Sequence, residues 1–422
     1  MTYSTNTASS GSSEGSPSSY QDSSYSWFRL FVSVLLATIG SVGMWSIIVV
    51  MPQIEREFGI DRADASLPFT TIMISFGLGN LIVGRLVDRF GIAVPLFCSI
   101  LLIVSGFFLS TLTTNILSFA AVQGILVGFG TSALFGPLMS DISHWFDKRL
   151  GIAIAAAASG NYFAGSLWPL FLKDTVTEDG WREAYSLIAI ILLFTMPPLA
   201  MMLRKKRPSE ADAIVQTASR RETSGQSINL TPRMLQGLMI VAGIACCVAM
   251  AMPQVHIVAY CADLGYGIAR GAEMLSLMLA GGIISRLASG YIADYIGGIR
   301  TLLLGSLFQG IALCLYVPFD GLVSLYIVSF VFGLSQGGIV PGYAIIIREY
   351  LPAKEAGQRV GLVILATVIG MAVGGWLSGL IFDLTKSYQA AFLNGIAWNA
   401  VNFLIIAFLL WRTRTQQPAL AA

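Results

Sequence analysis

The chain has 422 residues, of which 55% are hydrophobic and 11% charged, and its 25 Lys and Arg against 23 Asp and Glu leave a net charge of +2. A soluble domain is about one-quarter charged, and one this apolar would leave large greasy patches facing water, which folded monomers avoid. The composition excludes a soluble enzyme as the leading reading, and the balanced charge excludes the basic footprint of a nucleic-acid binder.

Residues 1–26 hold eleven serines and no Lys or Arg. A secretory signal needs a basic start and a short apolar core, so this segment reads as a disordered polar tail. Beyond residue 26 the chain is a series of long apolar runs. A bilayer core of about 30 Å takes roughly 20 residues of helix, and backbone groups in lipid are satisfied only by helices or closed barrels. Runs this long are too long for barrel strands. Spans are expected near 27–50, 67–87, 92–112, 115–140, 150–172, 184–203, 234–259, 270–293, 300–317, 321–347, 357–381 and 388–411. The expected organisation is a tail at 1–26, six helices over 27–203, a basic linker over 204–233, six helices over 234–411 and a tail at 412–422.

Basic residues orient such a chain, because Lys and Arg stay on the cytoplasmic side. With both termini inside, the tails, inner loops and linker hold eighteen of them, including Arg204-Lys205-Lys206-Arg207, while the outer loops hold six. That predicts cytoplasmic termini, and the short loops point to a plasma membrane, in particular a bacterial inner membrane.

The two sets of six repeat each other. Met51-Pro52-Gln53 recurs as Met252-Pro253-Gln254, and Pro137 as Pro341. Gly84-Arg85-Leu86-Val87-Asp88-Arg89-Phe90-Gly91 recurs as Gly290-Tyr291-Ile292-Ala293-Asp294-Tyr295-Ile296-Gly297. The near-constant offset argues for duplication, a plan known in transporters with a site between the halves. On these motifs the chain resembles a major facilitator superfamily transporter, an all-α membrane protein of twelve helices in two pseudo-symmetric six-helix bundles. The resemblance implies a cytoplasmic gate at Gly84, Asp88, Arg89, Gly290 and Asp294, with the two glycines allowing close helix approach. His144-Trp145-Phe146-Asp147-Lys148-Arg149-Leu150-Gly151-Ile152-Ala153, running into Ala158-Ser159-Gly160-Asn161-Tyr162, resembles the monocarboxylate transporter family and its bacterial relatives. Drug antiporters of the superfamily carry an arginine three residues before a Gln-Gly pair in the fourth span. Here Gln123-Gly124 is present with Ala120 at the arginine's place, and Ser159 to Pro169 does not reproduce their fifth-span motif. Export of drugs or other neutral or cationic molecules is the alternative.

Arg286 is the one basic residue expected deep in a span, and a charge there faces a cavity or a partner. It stands four residues before Gly290, where the resemblance implies an arginine that binds the substrate carboxylate. Its planar fork suits a carboxylate. A snorkelling side chain or a pair with Asp294 is the plainer alternative. The acid that many relatives carry one turn earlier is replaced by Gly282, and no acid falls at mid-depth in any span, which leaves the coupling open between a proton and a counter-anion. Asn161, Tyr162, Trp45, Trp376 and His256 are further candidates for lining the site.

Two other classes fit less well. A membrane enzyme needs a metal cluster, a nucleophile with its base, or paired carboxylates. The two histidines are far apart, and Cys98, Cys246, Cys247, Cys261 and Cys314 lie in or beside apolar runs without metal-ligand spacing, so no metal and no cofactor is implied. A sensor built on a transporter would append a signalling domain, for which tail and linker are too short. The expected partners are the bilayer and a small organic anion, with no nucleic acid.

Overall fold

A computed structural model describes residues 22–146, 149–205, 230–351 and 356–414. Most of the expected Ser-rich tail and of the basic linker lies outside the described residues. Twelve helices are long and apolar enough to cross a membrane, and they match the twelve expected spans in number and order. The first six are α1 (Ser24–Phe58), α2 (Arg62–Val87), α3 (Ala93–Ser110), α4 (Ile116–Ser143), α5 (Leu150–Glu178) and α6 (Trp181–Met202). The second six are α7 (Pro232–Asp263), α8 (Ile268–Ile296), α9 (Gly298–Leu315), α10 (Leu322–Tyr350), α11 (Gln358–Thr385) and α12 (Tyr388–Thr413). Large apolar side chains such as Phe31, Leu101, Leu117, Ile125, Phe194 and Val323 stay exposed on their outer faces, as a lipid-facing surface requires.

Each set of six forms a bundle, and the bundles meet mainly where α5 packs on α8, α2 on α11, and α1 on α7. The repeat is visible in detail. Gly91 closes α2 with φ +77°, and Gly297 closes α8 with φ +82°; their N–H groups return to Val87 O and Ala293 O at 2.8 and 2.9 Å. A left-handed φ is costly for any side chain, so the last glycine of each repeated turn is fixed by the helix end itself. The first glycine is not. A Cβ on Gly84 or on Gly290 would meet nothing within 4 Å, so in this conformation neither glycine lies at a close helix contact.

Both central helices α4 and α10 are interrupted. In α4 a π-helical turn over Gln123–Gly128 and a tight turn over Ser132–Leu134 precede a restart at Gly136–Ser143. In α10 the helix stops at Gln336 and restarts at Ile339, across Gly337 and Gly338. Pro137 and Pro341 fall in the first turns of the restarted segments, where a missing N–H costs nothing. Such breaks free backbone carbonyls inside the protein, where they can be used by side chains.

Hydropathy puts Arg29 and Asp141 at the flanks of spans, where charges meet water. In the structure they form a fully buried ion pair inside the first bundle, with Nε to Oδ2 at 2.7 Å and the guanidinium 4.6 Å from the Trp145 ring centroid. Removing one member of a buried pair strands the other and costs about 3–5 kcal/mol. Asp141→Ala is therefore expected to lower the apparent Tm of the detergent-solubilised protein clearly, and an unchanged Tm would show that the pair adds nothing to the bundle.

Candidate functional site

Between the bundles lies a cavity of about 250 Å³. For orientation, the face that carries the 204–233 linker is called the linker face and the opposite one the far face. The cavity extends toward the linker face along Leu81, Met139 and Gly361. At its other end Phe69 closes it, and a Cβ on Gly375 would already lie 3.2 Å from that ring.

Arg286 lines this cavity and is 7% exposed. Its Nε donates to Gly337 O at 3.2 Å, the carbonyl freed by the break in α10, and its NH1 donates to Ala158 O of α5 at 2.8 Å. The guanidinium carbon sits 4.3 Å from the centroid of the Tyr162 ring. The Tyr162 hydroxyl is a further side-chain partner of the guanidinium, and among the described residues no carboxylate lies within 4 Å of the side chain. Neither plainer alternative from the sequence is realised: Arg286 is not paired with Asp294, and it points into the cavity rather than out to a surface.

Gly282 explains the ring's position. A Cβ there would come within 2.5 Å of Tyr162 Cε1. Where the monocarboxylate resemblance anticipates an acid, this chain leaves room for an aromatic face against the guanidinium. Trp45 completes the group, donating from Nε1 to both the backbone O and Oδ1 of Asn161 at 3.0 Å each. That fixes the Asn161 amide so that its NH2 has no protein acceptor among the described residues, and Asn161 also lines the cavity. The site thus offers N–H donors from Arg286 and Asn161, while among the described residues its lining contains no Asp or Glu.

Of the six expected lining residues the cavity gathers four: Arg286, Asn161, Tyr162 and Trp45. It does not gather the other two. Trp376 is 37% exposed on the outer face of α11. His256 is fully buried and donates from Nε2 to Gly375 O at 2.8 Å, tying α7 to α11. Both stand in apolar helices whose facing direction hydropathy does not give. Sequence reasoning missed Asn80, Cys247, Gln254 and Thr367 and a wall of five methionines, Met44, Met73, Met139, Met250 and Met371. Nothing distinguishes these from ordinary core residues before the helices are placed.

The far face is sealed by charges that hydropathy assigns to outer loops. Arg62, 4% exposed, pairs through Nε with Glu55 of α1 at 2.7 Å and through NH1 with Asp263 of α7 at 3.1 Å. It also donates to the Tyr388 hydroxyl and lies 4.8 Å from the Phe382 ring centroid. The Asp383 carboxylate accepts from the backbone N–H groups of Arg62 and Ala63 at 3.0 and 2.7 Å. Gly379 permits this seat, since a Cβ would lie 2.9 Å from Arg62 O. A second clasp joins Lys173 of α5 to Glu273 of α8 at 2.5 Å, and Glu273 also accepts from Arg270 and Tyr326. The expected gate lies on the linker face. Arg89 lies against its neighbour Phe90, 5.2 Å from the ring centroid, and neither Arg89 nor Asp294 makes an ion pair among the described residues. The side chain of Asp88 lies outside those described.

A twelve-helix, two-bundle protein with a closed far face and a cavity at the bundle interface has the architecture of a secondary transporter. The comparisons with known proteins agree. The family model of the Major Facilitator Superfamily matches residues 33–324 and 274–422, and the chain belongs to that superfamily. It is similar to an uncharacterized MFS-type transporter, YcxA, of Bacillus subtilis, with 26% identity over 86% of this chain and 90% of that protein. It is also similar to monocarboxylate transporter 13 of Bos taurus, with 24% identity over 81% of this chain and 80% of that one. Among solved structures, a peptide transporter POT in complex with sulfate superposes with a TM-score of 0.74 at 15% identity, covering 94% of this chain and 97% of that one, a likeness of fold. The protein is an integral multi-pass membrane transporter of small molecules, and its superfamily is one of carriers rather than enzymes.

Proposed function

We propose that this transporter moves small organic anions, monocarboxylates in the first place, by alternating access between its two bundles. The observation that carries the reading is Arg286: a buried guanidinium at the wall of the inter-bundle cavity, with no carboxylate within 4 Å among the described residues. Leaving such a charge unpaired in a low-dielectric site is expensive, and a bound anion removes that cost. The similarity to a monocarboxylate transporter supports the same class. Export of cationic drugs is disfavoured, because a fixed positive charge in a site without acids repels them.

With the linker face on the cytoplasmic side of a plasma membrane, as the basic residues favour, the conformation is open inward and closed outward. Asp88, Arg89 and Asp294, on turns begun by Gly84 and Gly290, then form the latch of the opposite state. Since the cavity lining holds no Asp or Glu, the cargo's own charge neutralises Arg286. That favours facilitated diffusion or anion exchange over symport through a protein carboxylate.

The test is uptake into proteoliposomes of labelled lactate, pyruvate and acetate beside the uncharged lactamide and a cationic dye, with and without a pH gradient. Carboxylate uptake that exceeds amide and dye, and that preloaded anion accelerates, is the expected result. Dye or amide uptake without carboxylate uptake would overturn the reading.

A further inference from the structure

The cavity is larger and more apolar than a two- or three-carbon acid needs. Around its cationic corner the wall is built from Phe76 and Phe135, whose ring centroids lie 5.9 Å apart, and from Met73, Met250 and Met371. An apolar cavity of about 150 Å³ already admits a benzene molecule, and this one measures about 250 Å³. Methionine walls adapt to flat apolar bodies and make favourable sulfur–aromatic contacts, and aromatic side chains add edge-to-face or offset contacts. The donors sit together: Ala158, whose carbonyl accepts from Arg286 NH1, is three residues before Asn161 on α5. The apolar wall lies on α2, α4, α7 and α11.

We propose that the cargo is an arylalkanoate, a carboxylate with one aromatic ring on a short tether, with its head on Arg286 and Asn161 and its ring against the Phe76–Phe135 and methionine wall. The inference rests on the anion reading of the same site and narrows it. A lactate-sized acid would occupy the donor corner and leave the wall without a partner.

The experiment measures inhibition of labelled lactate or 3-phenylpropionate uptake in proteoliposomes by unlabelled 3-phenylpropionate, hexanoate, lactate, 3-phenylpropionamide and phenethylamine. It uses the wild type, Phe76→Ala and Met73→Ala. Burying one aromatic ring predicts half-inhibition by 3-phenylpropionate at a concentration about tenfold to hundredfold below that of lactate. The ratio shrinks in Phe76→Ala and Met73→Ala. Because the readout is a ratio within each variant, a loss of folded protein does not imitate the result. If lactate inhibits as well as 3-phenylpropionate, or the ratio is unmoved in both variants, the arylalkanoate inference is overturned and the anion reading stands. If the amide or the amine inhibits as well as the acid, the anion reading falls, and this inference with it.

Discussion

Arg286→Ala is expected to reduce carboxylate uptake by roughly a hundredfold to a thousandfold. The guanidinium can give a carboxylate two charge-assisted hydrogen bonds of about 1.5–3 kcal/mol each. Losing the pair removes about 3–4 kcal/mol after the vacancy partly rehydrates, and each 1.4 kcal/mol is about tenfold. Lysine should recover less than a tenth of the loss. An ammonium has no planar fork, so it cannot donate to Gly337 O and Ala158 O and still present two parallel N–H groups to a cargo. Stability should move the other way. In the cargo-free protein Arg286 is a buried cation with no carboxylate beside it among the described residues, so deleting it removes a desolvation cost. The apparent Tm of Arg286→Ala is expected to equal or exceed that of the wild type, whereas a saturating carboxylate should raise the Tm of the wild type alone. Uptake by the alanine variant at the wild-type rate would make the arginine a structural residue and reopen the function toward uncharged cargo.

That arginine was legible in the sequence for a simple reason. A lone cation in a long apolar run has no ordinary place in a bilayer, so its type and position already point to a site. Its partners were not legible. They are the main-chain carbonyls of Ala158 and Gly337, and a carbonyl freed by a helix break carries no side-chain signature. The twelve helices were legible because spanning lipid demands about twenty apolar residues, but their ends were not. Hydropathy halts at the first charges, yet α1 runs on through Glu55 to Phe58, α5 through Lys173 to Glu178 and α7 to Asp263. Taken alone each of these charges looks like a solvated loop residue; Glu55 meets Arg62 within the first bundle, and only when the two bundles meet does Asp263 find Arg62, and Lys173 find Glu273. The facing of Trp376 and His256 was hidden for a related cause. Helices apolar on every side give no amphipathic signal, and packing alone decides which stripe sees the cavity.

The far-face clasp carries the second large expectation. Arg62 begins α2 in the first bundle, and Asp263, Asp383 and Tyr388 belong to the second. These contacts exist only while the far face is shut, so they stabilise this state and not its opposite. Arg62→Ala removes the guanidinium contacts to Asp263 and Tyr388 and leaves Glu55 and Asp263 without their cation, while the backbone N–H groups still hold Asp383. The side chains of Glu55 and Asp263 are 22% and 38% exposed, so the effect falls between that of a surface pair and that of a fully buried one, at about 2–3 kcal/mol. That shifts the balance between the two access states by roughly thirty- to more than a hundredfold, and a ligand-free equilibrium poised within that range changes its dominant state. A cysteine introduced at Met371, which lines the cavity and is only partly buried, supplies a reporter once the exposed Cys98 and Cys314 are replaced by serine. In sealed vesicles, a small membrane-impermeant thiosulfonate applied to the far face should modify this cysteine slowly on the otherwise wild-type background and at least about ten times faster with Arg62→Ala. Glu273→Gln, which weakens the second clasp, should act in the same direction but less, since Lys173 and Arg270 are more exposed than Arg62. Should far-face labelling stay slow in Arg62→Ala while linker-face labelling stays fast, the clasp is a passive surface contact. The apolar seal of Phe69 against Gly375 would then hold that face shut by itself.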